Sequence, residues 1–239
     1  MTIEFKNVTK KVRNGPVKVD YLDLNIRIDE TKSVALLAQK SAGVESIVEL
    51  LCGADAPDNG HIVRSHSISW AIPSPRFLHK HHSLAANARF LARLYEIDER
   101  EYLAKIAEAG DLGPHLNTRA DKCPKDALSL FCFLAGAVLP FDQYIFTSVT
   151  AGGKANRERV ADTIESLRAR AGLLIVSQNP KLAKQFCDVA YVFDQGQATY
   201  FDDMDAAAEF FGAIGPEAGE EEIAFEDEAE LESLVNVDF

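Results

Sequence analysis

At 239 residues the chain is long enough for one fully cored domain, or for a domain with a subdomain. With 47% hydrophobic and 26% charged residues its make-up is that of a globular protein, and its net charge of −12 is uneven: residues 216–239 hold ten acidic side chains and no Lys or Arg, leaving about −2 on the rest. That balance offers no basic footprint for nucleic acid, and the longest apolar stretch, residues 128–139, falls short of the ~18–20 residues of a membrane span.

The first residues, Met1-Thr2-Ile3-Glu4-Phe5-Lys6, lack the apolar segment of a signal peptide. A cytoplasmic protein is expected, with Cys52, Cys123, Cys132 and Cys187 as reduced thiols scattered without metal-ligand spacing. Residues 3–8 alternate, and residues 17–28 alternate strongly, placing Leu22, Leu24, Ile26 and Ile28 on one face. Asn14-Gly15-Pro16 between them predicts the turn of an antiparallel hairpin with one wet face.

Residues 33–37 read as an apolar strand, followed by a small-residue loop and a helix-periodic run over residues 46–51. Strand, loop and helix in this order is the setting of a Walker A phosphate loop. That motif needs Gly, four residues, Gly, Lys and Ser or Thr: backbone amides cradle phosphate, Lys neutralises it and the hydroxyl holds magnesium. Here Ala38 takes the first glycine, Gly43 keeps the second, Val44 takes the lysine and Glu45 the hydroxyl position, with Ser41 and Ser46 in the same pocket segment. A carboxylate at a helix N-terminus is favoured by the dipole by ~0.3–1 kcal/mol. Glu45 would therefore hold the end that phosphate needs and repel it, with Lys40 placed to neutralise Glu45 internally. The segment has the setting of an NTPase without its chemistry.

Asp58-Asn59-Gly60 predicts a turn, with strands near residues 61–64 and 67–72. Over residues 83–139 the pattern is helical: Phe90, Leu91 and Leu94, then Leu103, Ile106 and Ala107, recur at helix spacing, interrupted at Gly110 and Gly113-Pro114. Strands at 143–146, 173–177, 190–193 and 198–201 then alternate with helices at 157–170, 180–186 and 204–211, which predicts a parallel α/β sheet. The Glu-rich end reads as a solvated tail, or else as an acidic docking peptide carrying Leu231, Leu234 and Val235. His79-Lys80-His81-His82 invites a metal, but no Cys or carboxylate accompanies it at ligand spacing and an exposed basic loop explains it. Thr147-Ser148 and Gln178 are not a nucleophile–base pair, because Gln cannot take a proton.

The order of antiparallel lobe, phosphate-loop strand, helical insert and returning sheet resembles the ATPase subunit of ABC transporters. Finer features resemble the subfamily that exports capsular polysaccharide. They are Gly53, Pro57-Asp58-Asn59-Gly60-His61-Ile62, Ser67-Ile68-Ser69-Trp70, Phe90-Leu91-Ala92-Arg93-Leu94-Tyr95, Phe141-Asp142 with Tyr144, Val176-Ser177, Cys187-Asp188, and Phe201-Asp202-Asp203-Met204-Asp205-Ala206. The likeness spans residues 2 to 211. It implies an α/β P-loop fold with a mainly parallel core sheet, an N-terminal antiparallel β lobe and an all-helical insert. The domains would be residues 1–82 with 140–212 as core, 83–139 as helical subdomain and 213–239 as acidic tail.

The resemblance also places the remaining site positions, and each departs from the family. Val12 falls where an aromatic stacks on adenine, and His79 where a Gln touches magnesium and the membrane subunit. Asp126, in Cys123-Pro124-Lys125-Asp126-Ala127, replaces the signature glycine that clamps the opposite subunit's γ-phosphate. Thr147 and Ser148 stand for the Walker B Asp and Glu, Gln178 for the switch His, and Lys154 for the Asp that follows Ala151-Gly152-Gly153. The implied protein binds rather than catalyses. It has no catalytic residue or metal site, no expected cofactor and at most weak binding of ATP with magnesium. Its partner would be an ABC membrane subunit, an active ATPase homologue or a second copy. No nucleic acid is involved, and the cytoplasmic membrane face is reached only through a partner. The partner would dock in the cleft between sheet core and helical insert, on the apolar content of Phe90, Leu91, Leu94, Tyr95 and residues 128–139. An active capsular exporter ATPase and a free-standing cytosolic scaffold are the alternatives.

Overall fold

The structure is a computed structural model and describes residues 2–14, 17–29 and 31–215. Its strands and helices, in chain order, are β1 (Thr2–Asn14), β2 (Val17–Asp29), β3 (Ser33–Ala38), α1 (Val44–Cys52), β4 (Asn59–Arg64), β5 (Ile68–Ile72), α2 (Leu84–Leu94), α3 (Glu99–Gly110), α4 (Lys125–Ala137), β6 (Gln143–Phe146), α5 (Arg157–Arg168), β7 (Gly172–Ser177), α6 (Pro180–Ala183), β8 (Val189–Asp194), β9 (Gln197–Phe201) and α7 (Met204–Ile214). They fall into two compact units. The first runs to Ala71 and resumes over Phe141–Thr147 and from Leu167; the second comprises Ile72–Pro140 and Ser148–Ser166.

In the first unit a six-stranded sheet has the order β5-β6-β7-β3-β8-β9. Strands β6, β7, β3 and β8 pair in parallel, and β9 returns antiparallel to β8 through Gln195-Gly196. Every residue of β3 is buried, as an unalternating apolar strand in a covered sheet must be. A separate three-stranded antiparallel sheet, β2-β1-β4, forms the expected lobe. The turn expected at Asn14-Gly15-Pro16 falls on residues outside those described.

The expected apolar face of β2 holds only in part. Leu24, Ile26 and Ile28 are buried, but Leu22 is 54% exposed and Tyr21 is buried in its stead. The cause is an extra residue: Val8 pairs with Leu24 but Lys10 with Tyr21, and Asp23 adopts a φ of 50°. Such a bulge shifts the alternation by one residue and so flips which side chain faces inward. Two other bounds also move. The helix read over 180–186 ends at Ala183 and continues as turns, with Phe186 and Cys187 amides donating to the Ala183 carbonyl. Helix α7 extends to Ile214, past the expected start of the tail at residue 213. Residues 216–239, on which the tail expectation rests, lie outside those described.

The second unit is built on α4, whose residues from Ala127 to Ala137 are buried except Ser129. Helices α2 and α3 bury Leu84, Leu91, Tyr102 and Ile106. The Tyr102 hydroxyl donates to the Ala135 carbonyl, which keeps a buried phenol satisfied. Ser83 and Asp98 cap α2 and α3 through their side-chain oxygens, devices each worth about 1 kcal/mol. Gly136 lies against Ile72, where an added Cβ would come within 2.7 Å of the Ile72 side chain. Gly136→Val should therefore overpack the unit and cost about 1–3 kcal/mol, read as a lowered denaturant midpoint.

Candidate functional site

Parallel α/β sheets place their ligand sites at the carboxyl ends of the strands. By register Leu37 of β3 lies beside Ser177 of β7, and Phe146 of β6 beside Ile175. The loop after β3, Gln178 after β7 and Thr147 after β6 therefore leave the same edge of the sheet in one unit. Ala38, Ser41, Gly43, Val44, Glu45, Ser46, Thr147 and Gln178 lie on these segments. Val12 is buried in the β1–β2 hairpin of this unit, opposite Val19. His79, Asp126 and Ser148 belong to the second unit.

The loop is tightly wound. Lys40–Ala42 form a 3-10 turn in which the Ala42 amide donates to the Gln39 carbonyl at 3.0 Å. Gly43 takes a left-handed conformation (φ 64°, ψ 37°) to enter α1, and the Ser46 amide donates to its carbonyl at 3.2 Å. Two of the amides that a phosphate cradle would use are thus spent within the segment. Val44, the first residue of α1, is 0% exposed. The Tyr21 hydroxyl, also buried, donates to the Ala42 carbonyl at 2.5 Å and ties the loop to β2. Burial, then the carboxylates of Glu45 and Asp194, push the Tyr21 phenol well above its ordinary range, so it stays a neutral donor. The expected pairing of Lys40 with Glu45 falls on a Lys40 side chain outside those described; Glu45 itself is not without a partner.

Gln178 follows β7 with its Nε2 buried and unbonded among the described residues, beside a Ser177 hydroxyl that accepts the Asn179 amide at 2.9 Å. Thr147 is 6% exposed at the end of β6. In the second unit the Ser148 hydroxyl lies 3.2 Å from that of Thr150 and accepts the Thr150 amide at 3.3 Å. Asp126 occupies the first turn of α4 beside Gly153, where an added Cβ would lie 3.2 Å from its Oδ1. The His79 amide donates to the side chain of the buried Asn87 at 2.7 Å, and its ring stacks on His82 at 4.1 Å. His81 faces Arg119 across 2.8 Å. Among the described residues no group of three or more His, Cys, Asp or Glu could hold a metal.

Three features went unread in the sequence. Tyr21 was hidden by the bulge. Asn87 holds the loop of His79 through three hydrogen bonds, accepting from the His79 amide and donating to the His79 and His82 carbonyls. Gln39 was one of the unspecified loop residues, yet its side-chain amide donates to the Gly215 carbonyl at 3.3 Å. A buried-capable Asn one turn into an amphipathic helix was the only available signal among them.

Solved structures share this fold at low identity. An ATP-binding subunit of an ABC transporter superposes with a TM-score of 0.75 at 17% identity, over 98% of both chains. An ATP-binding cassette solved as a dimer in a post-hydrolysis state with ADP and Pi gives 0.72 at 12% identity, over 84% of this chain and 98% of that one. No protein-family model matches. Among curated proteins, a polysialic acid transport ATP-binding protein, KpsT of Escherichia coli, is 32% identical over 196 residues, which is 80% of this chain and 87% of the relative. The chain belongs to the ATP-binding proteins of capsular-polysaccharide ABC transporters. Within this family, the capsule polysaccharide export ATP-binding protein CtrD of Neisseria meningitidis serogroup B is 26% identical over 80% of this chain and 89% of its own. BexA of Haemophilus influenzae is 27% identical over 87% and 97%. As an ABC-type ATP-binding protein the chain has the expected α/β architecture: a mostly parallel sheet, an antiparallel sheet and a set of helices.

Proposed function

We propose that this chain serves a capsular-polysaccharide exporter by binding its partners and does not hydrolyse ATP at its own site. The observation that carries this reading is the loop over residues 39–43, wound on itself ahead of a buried Val44. A bound ATP with magnesium brings several negative charges and a phosphoryl group for transfer, and hydrolysis of it rests on positioning and counter-charge. The residues present do not fit that ligand. Val44 supplies no cation, Glu45 places a carboxylate in the first turn of α1, and Thr147 and Ser148 offer hydroxyls where metal-binding and water-orienting carboxylates are needed. Asp126 would add negative charge at a signature position that faces a phosphate in the family's dimers. The purified protein should show hydrolysis at the buffer rate, indifferent to magnesium. Magnesium-dependent turnover abolished by Gly43→Asp would refute the proposal.

What remains is a partner surface. Phe90 and Leu94, one turn apart on α2, are 55% and 62% exposed, and Arg89 and Arg93 share their face. Two large apolar side chains flanked by arginines have the make-up of an interface core with a polar rim. The relatives are named as parts of transport and export systems, and the occupant we assign is the exporter's membrane-embedded subunit. No described helix of this chain is long and apolar enough to cross a membrane, so the membrane would be reached from the cytoplasmic face through that subunit. Phe90→Asp with Leu94→Asp should abolish co-purification of the membrane subunit, with or without ATP, while leaving the melting temperature within a degree or so, since surface changes cost within about ±0.5 kcal/mol. Capture that survives the double substitution would remove this surface from the account.

A further inference from the structure

Within the second unit, a cavity of about 250 Å³ opens where the start of α3 meets the end of α4. Ile97, Tyr102, Val138 and Pro140 give it apolar surface, and Asp98, Glu101 and Lys105 give it charge. Its volume lies below the ~300–1,000 Å³ of small-molecule pockets and suits one long side chain. The charge is negative on balance. Residues 96–111 carry six acidic and two basic side chains. With Glu99 and Asp111 set aside, because Arg93 and Arg159 engage them, four carboxylates remain against two cations. At the cavity itself Lys105 pairs with Glu101 at 2.7 Å. Asp98 uses only Oδ1 to cap α3, accepting the Arg100 and Glu101 amides at 3.0 and 2.8 Å; among the described residues its Oδ2 accepts no hydrogen bond. Tyr102 adds no donor, since its proton goes to the Ala135 carbonyl. Burial, then the nearby Tyr95, holds that phenol above its ordinary range, so the proton stays on it. Helix α4 ends here with Val138 as its C-cap and no basic residue in its last turn, so its carbonyl end also favours a cation.

We propose that this cavity receives the side chain of an arginine presented by a protein partner. The aliphatic stem lies along Ile97, Val138 and Pro140 while the charged head stays at the mouth. There the guanidinium donates to the Asp98 and Glu101 carboxylates, its planar fork matching their geometry, and its face suits the Tyr102 ring. A lysine ammonium is more strongly hydrated and loses more on entering the same space. Arginine is also among the residues that anchor interfaces from small desolvated pockets. The contact goes beyond the one assigned to Phe90 and Leu94 and does not depend on the loss of hydrolysis.

Titration of N-acetyl-argininamide into the isotopically labelled full-length protein, read by amide chemical shifts, tests the site. The expected result is saturable binding of order millimolar, since one side chain carries only part of an interface, with shifts centred on residues 97–105 and 138–140. N-acetyl-norleucinamide, which keeps the stem without the charge, should bind at least about fivefold more weakly. Glu101→Gln should weaken the arginine probe, and Lys105→Gln, which releases Glu101, should strengthen it, each by up to about fivefold, the worth of one exposed ion pair. Both positions are exposed, so the melting temperature should hold in each; a merely structural role would not move affinity in opposite directions. Shifts centred elsewhere, no saturation by about ten millimolar, equal binding of the norleucine probe, or indifference to both substitutions would each overturn the proposal. Tighter binding of spermidine than of the arginine probe would assign the cavity to a free polyamine instead. A dimer weakened by Glu101→Gln would assign it to a second copy of this chain, and either result overturns the proposal. The test uses the isolated protein, so its failure leaves the co-purification result for Phe90 and Leu94 as it is.

Discussion

Tyr21→Ala should destabilise this protein by about 3–5 kcal/mol, the range for removing a large buried aromatic side chain. Tyr21 is 0% exposed, packs edge-on against Phe193 at 6.1 Å between ring centroids, and donates to the Ala42 carbonyl. Truncation removes the packing and the tie between β2 and the loop together. Tyr21→Phe separates the two: it keeps the ring but strands the Ala42 carbonyl, at a cost of about 1–3 kcal/mol. Denaturant unfolding of both variants measures the difference. If Tyr21→Phe proves neutral, the loop is held by something other than the phenol, and its wound state owes little to β2.

The second large effect is expected from Val44→Lys combined with Glu45→Ser, which returns the cation and hydroxyl of a working phosphate loop. Val44 is fully buried, so without ligand the new ammonium must either lose hydration or push the loop open, and stability should fall by several kcal/mol, about 3–5 for an uncompensated buried charge. Magnesium-ATP should recover part of that loss. A charge-assisted hydrogen bond contributes about 1.5–3 kcal/mol, so nucleotide affinity should improve about tenfold or more over the unaltered chain. Hydrolysis should nonetheless stay at background. The Ser148 hydroxyl is engaged with Thr150 and no described carboxylate stands at either of positions 147 and 148 to orient water. Robust turnover by this variant would mean that the residues orienting water lie elsewhere in the chain.

The fold was legible in the sequence because its signals are cooperative along a strand or helix. The unbroken apolar run of β3, the alternation of β1 and the fully apolar α4 each report a burial environment, and the structure has β3 and α4 buried throughout apart from Ser129 and the first turn of α4. Register was not legible. One extra residue near Asp23, marked only by a φ of 50°, exchanged Leu22 for Tyr21 in the core. The identities Ala38, Val44 and Glu45, on which the proposed loss of nucleotide chemistry rests, could be read from spacing alone. The winding of the loop could not. It depends on a hydrogen bond between residues 21 apart and, at Gln39, on one between residues 176 apart. No local pattern encodes contacts of that separation. Asn87 lies between these cases: its helix was legible, but its grip on the His79 loop appears only once that loop folds back over it.

Isothermal titration of magnesium-ATP into the isolated full-length protein tests the central claim most directly. With no cation at Val44, a carboxylate at Glu45 and a loop bonded to itself, heats should fail to saturate below about millimolar nucleotide, a binding free energy no better than about −4.1 kcal/mol. A saturable isotherm with a micromolar dissociation constant would contradict the account, because it would require a phosphate cradle and counter-charge that Val44 and Glu45 do not provide.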